Sequence, residues 1–511
     1  MKNGIIKNLR ISIPAAALLG GVVCLVNPGE KPFLGWLGST ILSFIFLFGI
    51  IFAVDKLHSP KQVKTITTVN LVVRIIAGVA LFLLLPIWGY EEEPPQAGYL
   101  YLDAYRRDAD AWQIASTDES TFTGFQDEFY TDQYGGMLSL SASIYRVFSP
   151  DAHRPILILL LTSFVSTLGI PFYWQAIQER FGSKVANLAC WILALYPESV
   201  ILGGSQMREP LIIGLSGIIL WGLEYRKKNK RAGTIALISS MLVLTVISTR
   251  YAIAVVLLLA LWMWSDYTTK ETTKDQKIKI WKSLPLVVIV LAGLFISWRW
   301  LVDTSRWDLY LMESSSGRVQ FELDTIGEQL RIPFLVLYGV LQPVLPAAIA
   351  YPGIAIMRII AIFRSAGWYL IAPTLLLAPF FTPKEKNNKN RQVLILTTLF
   401  ILFWILLSSL RAGGDQWDNP RYRTAILPWI AIVASWTFIY FKDQKNPWLK
   451  RTYAVVTVFC SFFLQWYLSR YYKLWTRLPF VQMVIVLCAT ILILIIGFFI
   501  HDRLQRKSIG K

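Results

Sequence analysis

Long apolar stretches recur along this chain, at 41–54, 71–88, 394–410 and 481–500 among others. A bilayer-spanning helix needs roughly 20 mostly apolar residues. In lipid every backbone polar group must be satisfied within the protein, so such stretches fold as helices. Composition agrees: 55% of the 511 residues are hydrophobic and 16% charged, where soluble domains carry about a quarter. The fold class is therefore all-α, a polytopic α-helical membrane protein.

A formal net charge of +18 suggests nucleic acid at first sight, but the position of the charge argues against it. The cations fall in short segments between apolar runs: Arg226, Lys227, Lys228, Lys230 and Arg231, then 270–282, 384–391, 442–451 and 503–511. Cytoplasmic loops carry Lys and Arg in this way. A nucleic-acid surface gathers them on one folded face. Cys24, Cys190, Cys460 and Cys488 lie in or beside apolar runs without paired spacing, which gives neither a disulfide framework nor a thiolate metal site. His58 and His501 sit in basic segments, and His153 stands alone outside. No HExxH, GxGxxG or GxxxxGK string is present.

With a cytoplasmic, uncleaved N-terminal anchor, spans are predicted near 11–27, 36–54, 69–89, 156–176, 185–203, 209–225, 232–249, 251–266, 284–302, 365–381, 392–410, 424–441, 453–469 and 480–500. These make about 14 crossings with both termini inside, and each basic loop then falls on the cytoplasmic side. Segment 331–363 is apolar but broken by Pro333, Pro343, Pro346 and Pro352, and it reads as re-entrant. Arg74 lies near the cytoplasmic end of its span and reads as a snorkelling side chain. Trp36, Trp88, Trp298, Trp300 and Trp448 read as interfacial belt.

The outer segment 90–155 is acidic and aromatic in a basic protein, with Tyr99, Tyr101, Tyr105, Trp112 and Tyr134 among its rings. This predicts an ordered first extracytoplasmic loop. Asp127, Glu128 and Asp132 have a generic spacing; a divalent ion on them is the one cofactor left open, and no other is implied. Three clusters face the same side: 102–112, with Asp103, Asp108, Asp110 and Trp112; 195–210, with Tyr196, Glu198, Arg208 and Glu209; and 415–423, with Arg421, Tyr422 and Arg423. A carboxylate at the membrane surface can act as general base on an acceptor. Arginines there stay charged and bind phosphate through forked hydrogen bonds. A sugar carried on a lipid phosphate needs both kinds of group.

In the order of these motifs the chain resembles the GT-C superfamily of polytopic glycosyltransferases, whose donors are polyprenyl-phosphate sugars; it is mannosyltransferase- or aminoarabinose-transferase-like. The likeness rests on Asp108-Ala-Asp-Ala-Trp112, on Leu195-Tyr-Pro197 leading to Glu209-Pro-Leu211, on Gln342-Pro-Val-Leu-Pro346, and on Arg421-Tyr-Arg423 leading to Pro428. It spans residues 69–441, including the outer loops 90–155 and 303–363. Two extra helices in 1–68 precede the usual first span, and 442–511 forms a hairpin with a basic tail in place of a large soluble domain.

The resemblance implies sugar transfer at the extracytoplasmic face of a bacterial-type plasma membrane. Asp108, Asp110 or Asp103 would be the base, with Glu209 as a second acid. Arg208, Glu198, Tyr196, Arg421, Tyr422, Arg423 and Trp112 would bind substrate. The partners implied are a polyprenyl-phosphate-linked sugar, an acceptor glycan, lipid or protein, and membrane lipids, with no nucleic acid. Two readings stand beside it. An O-antigen-type ligase or polymerase shares the lipid-linked sugar but places its large loop late. A secondary transporter or lipid flippase would show mid-bilayer charges and repeated halves. Simpler roles remain open for single residues: Glu209 as a helix N-terminal carboxylate, Arg208 as a snorkelling anchor, and Arg421 and Arg423 as interfacial anchors.

Overall fold

The computed structural model describes residues 2–126, 129, 132–270 and 328–509, and every structural statement below concerns those residues. They are helical, without a strand. Ten helices are long and apolar enough to cross a membrane, or twelve if each of two bent pairs is one span. The predicted span 284–302 lies outside the described residues, as do residues 303–327 of outer loop 303–363.

The chain opens with α1 (Lys2–Val26), α2 (Pro32–Lys56) and α3 (Lys61–Trp88). Segment 90–155 then folds into α4 (Leu102–Ser116) and α5 (Gly136–Phe148), packed on each other. In α4, Ala104, Arg107, Asp108, Ala111 and Ile114 are buried, the three-four spacing of one face of a helix. Gly136 lets α5 close on the chain near residue 246: a Cβ there would lie 2.0 Å from the Val246 carbonyl oxygen.

The central helix is α6 (Ile156–Phe181), apolar and buried nearly all round, as a helix hydrophobic on every side must be. Beside it runs α9 (Glu209–Tyr225). Gly169, Gly214 and Gly217 bring the two backbones together: a Cβ at Gly214 would stand 2.1 Å from the Val165 carbonyl oxygen. Small residues drive helix packing in lipid for this reason.

Between these helices the predicted single span 185–203 is two helices, α7 (Ser183–Leu195) and α8 (Pro197–Gly203), bent by 50°. Pro197 forbids helical geometry at the residue before it. Arg74 corrects its snorkelling assignment. It is fully buried and donates to the Leu193 and Ala194 carbonyls (3.0 and 3.1 Å) and to Ser199 Oγ (2.6 Å). A cation thus caps the carbonyl end of α7, where the helix dipole favours it.

Next come α10 (Lys230–Ile247) and α11 (Thr249–Lys270), and after the undescribed stretch α12 (Glu328–Leu341), α13 (Leu345–Ala350) and α14 (Ala355–Phe381). The proline-rich segment is broken where prolines were expected to break it, but α14 begins ten residues before the predicted 365, just past Pro352 and Gly353. Arg364 therefore lies inside a helix. Then follow α15 (Asn388–Ala412), a second bent pair of α16 (Asp418–Thr424) and α17 (Leu427–Asp443) at 75°, and α18 (Trp448–Tyr472) and α19 (Phe480–Ile509). The last two are apolar yet largely uncovered, with Ile493 and Val481 on open surface, as lipid-facing helices are.

One end of the bundle is basic. There Arg180 on α6 pairs with Glu224 (2.9 Å) and Asp266 (2.6 Å), and Lys227 reaches both acids. The opposite end carries α4, α5 and the breaks in both bent pairs.

Candidate functional site

At the α4–α5 end, three chain segments meet on one guanidinium. Arg421, in the last turn of α16, donates through Nε to Glu209 (2.9 Å) and through Nη1 to Asp103 (2.9 Å) and Asp418 (3.0 Å). The three acids differ in access. Glu209 is 1% exposed, whereas the Asp103 side chain is 52% and Asp418 38% exposed. Arg421 is thus anchored from inside by one carboxylate and met from outside by two others. Burial pushes the Asp103 carboxyl up, but the charge and hydrogen bond of Arg421, with the charges of Arg107 and Arg208, together hold the group below its ordinary value. The Tyr422 hydroxyl donates to Asp418 (3.2 Å), and the Arg411 guanidinium lies over its ring at 4.6 Å.

A second layer surrounds this centre. Arg107, one turn along α4 from Asp103, donates to the carbonyl of Gln206 (2.6 Å). Gln206 has a positive φ of 56°, a left-handed conformation costly for a side chain of that size, in the turn between α8 and α9. Arg208 pairs with Asp132 (3.5 Å) and lies over the Tyr134 ring at 5.2 Å. Glu209 Oε2, Arg107 Nη1 and the Gln206 side-chain oxygen are buried and find no hydrogen-bond partner among the described residues. Native proteins pair nearly all such groups, so this concentration beside Arg421 leaves hydrogen-bonding capacity for a polar ligand.

The third feature is an ion pair that the sequence reading missed. Arg364 on α14 donates to both oxygens of Glu198, at 2.5 and 2.7 Å, with both side chains almost fully buried. Its guanidinium lies 4.3 Å over the Trp417 ring and donates to the Trp417 carbonyl (3.3 Å). The Tyr101 hydroxyl adds a donor to Glu198 (3.4 Å), and its ring meets Trp417 edge-on. This pair sits beside the α7–α8 break and ties α8 to α14 and the start of α16. A charge inside an apolar run was the available signal.

Of the residues singled out from sequence, Asp103, Glu209, Arg421 and Tyr422 come together, and Arg208 and Glu198 adjoin them. The others lie elsewhere. Asp108 is on the opposite face of α4, where it accepts hydrogen bonds from Tyr99 (2.5 Å) and Tyr145 (2.6 Å) and contacts His153 (2.7 Å). Trp112 stacks on His153 with centroids 5.3 Å apart. Asp110 is half-buried in the middle of the same helix. Arg423 turns inward under Trp368 and donates to the carbonyls of Val340 and Gln342, with Tyr196 lining the same small cavity.

Asp127 and Glu128 lie outside the described residues, and Asp132 is committed to the Leu138 N–H and Arg208. Among the described residues no three His, Cys, Asp or Glu side chains converge as metal ligands.

Neither a family model nor a curated protein matches the chain. Its chemistry is therefore argued from this geometry. Arg421 can take a phosphate on the side now held by the two exposed acids, and displacement of Asp103 from Arg421 would leave a carboxylate able to accept a proton.

Proposed function

We propose that the chain is a membrane glycosyltransferase of GT-C type. It would move a sugar from a polyprenyl-phosphate-linked donor to an acceptor glycan, lipid or protein at the extracytoplasmic face. In this reading the α4–α5 end is extracytoplasmic, and both termini are cytoplasmic. The chain crosses a bacterial-type plasma membrane about 14 times, with 331–363 re-entrant. The observation that carries the proposal is Arg421 held by buried Glu209 while sharing Nη1 between exposed Asp103 and Asp418. The lipid phosphate replaces those two acids on the guanidinium, where the positive charge offsets the charge developing on the leaving phosphate. Asp103, released, takes the proton of the acceptor hydroxyl or amine as it attacks the anomeric carbon. The phosphate leaves with the bonding electron pair.

Of the three acids considered as base, Asp103 is favoured because Asp108 already serves two tyrosines and an imidazole. The test is transfer of radiolabel from a polyprenyl-phosphate sugar pool in membranes carrying each variant. Asp103→Asn and Arg421→Lys are expected to lower transfer by about a hundredfold or more, the range for a general base; Asp110→Asn is expected to transfer normally. Full transfer by Asp103→Asn would remove it as the base, and no transfer from any donor would remove the reaction class.

A secondary transporter is the second reading, and specific observations favour it. Two helix pairs are bent at breaks, and a buried Arg364–Glu198 pair and Arg74 sit in the bundle interior. Broken helices and intramembrane charges mark transport pathways. Uptake or flipping by purified protein in vesicles, without transfer, would decide for it. An O-antigen-type ligase would share the donor and be told apart by its acceptor.

A further inference from the structure

The face of α4 turned away from Arg421 carries a second constellation. Asp108 is buried, and its carboxylate can only accept hydrogen bonds. Tyr99 and Tyr145 donate to it, and both phenols stay neutral because burial, and then the Asp108 charge, push them far up. The third partner, His153 Nε2, must therefore carry a hydrogen and donate as well. That fixes the ring: Trp112 covers one face in parallel (18°), and Tyr145 meets it at 80°.

The imidazole is 31% exposed, and its other nitrogen, Nδ1, has no hydrogen-bond partner among the described residues. His153 lines a half-open cavity of about 150 Å³ together with Tyr99, Tyr105, Ala97, Ala109 and Pro155. Tyr99 and Tyr105 meet edge to face there, 5.4 Å apart.

We propose that this cavity is a binding site for a single hydroxylated ring or polyol group, recognised by His153 Nδ1 over a tyrosine floor. The lining supports this class over others. No Lys or Arg lines the cavity, so it offers no charge-assisted anchor for a phosphate. A purely apolar ligand would waste an imidazole oriented by a buried carboxylate. Aromatic faces with one oriented imidazole nitrogen suit a ring that has apolar C–H groups and a hydroxyl, which can donate or accept. The group can belong to a soluble glycan or to the headgroup of a glycolipid. The site is independent of the transfer reading, since Asp103 lies more than a third of a turn around α4 from Asp108.

The chain has three histidines, His58, His153 and His501, so imidazole nitrogens can be followed in ¹⁵N-histidine-labelled full-length protein in nanodiscs. One arm adds methyl glucoside or methyl mannoside. The other compares nanodiscs with and without monoglucosyl diacylglycerol. The Nδ1 resonance of His153 is expected to move in at least one arm while the other two histidines stay put. Movement in the first arm assigns a soluble glycan, and movement in the second alone a lipid headgroup. Tyr105→Ala, a change at a half-exposed position, should weaken binding about tenfold, the equivalent of roughly 1.4 kcal/mol, and Asp103→Asn should leave it unchanged. A His153 signal that stays still in both arms up to the solubility limit of the glycosides overturns the proposal, as does equal binding by Tyr105→Ala.

Discussion

Glu198→Gln isolates the cost of breaking the buried ion pair between Glu198 and Arg364. Arg364 loses the charge it meets at 2.5 and 2.7 Å and keeps the Trp417 ring and carbonyl. Neither side chain is more than 2% exposed, so water cannot take over the hydrogen bonds. Removing one member of such a pair costs about 3–5 kcal/mol, because the other charge stays buried without compensation. Arg364→Met should cost a similar amount by stranding Glu198 with only the Tyr101 hydroxyl, 3.4 Å away. In the double variant no buried charge is left, and replacing a whole pair by apolar or neutral groups is often near neutral. The two changes together should therefore cost no more than one alone, a coupling of at least roughly 3 kcal/mol in a double-mutant cycle. Reversible SDS unfolding in mixed micelles, followed by tryptophan fluorescence, measures all four corners. A coupling below about 0.5 kcal/mol, the ordinary error of additivity, would refute the claim that this pair acts as a buried unit. Single-variant costs under about 1 kcal/mol, the range of exposed pairs, would refute the burial argument itself.

Two further outcomes follow from the geometry. Gly214→Ala should destabilise the α6–α9 contact by about 1–3 kcal/mol, since the added Cβ would meet backbone 2.1 Å away; an unfolding midpoint equal to wild type would mean the helices can separate freely. Asp103, whose folded value is lowered, contributes stability that is complete above its ordinary value of about 3.9 and is lost as pH falls through the lowered one. The stability gap between wild type and Asp103→Asn should therefore stay level from about pH 8 to 5 and close below about pH 4. A gap that fades between about pH 7 and 5 would show a carboxyl raised rather than lowered.

The apolar runs made the helical class legible, since nothing but a helix accommodates them in lipid. Pro197 announced a break in its span, yet the sequence reading let apolar length outvote it. Arg364 was overlooked because a single cation in a long apolar run hardly changes its hydropathy, while its partner Glu198 lies 166 residues away. The acids of α4 could be named but not ranked. Helical spacing separates Asp103 from Asp108 by more than a third of a turn, and which face meets Arg421 depends on tertiary packing alone. His153 stood alone in sequence because its partner is 45 residues upstream.

The contact between Arg421 and Asp103 joins residues 318 positions apart. At synthesis rates of about 5–20 residues per second, roughly 15–60 s pass between the two leaving the ribosome. Throughout that interval Asp103, and for its last 212 residues Glu209 as well, exists without the guanidinium that later neutralises it. A protein halted before residue 421 could hold most of its helices and still lack the centre altogether, so quality control that watches this cluster would be reading completion of nearly the whole chain.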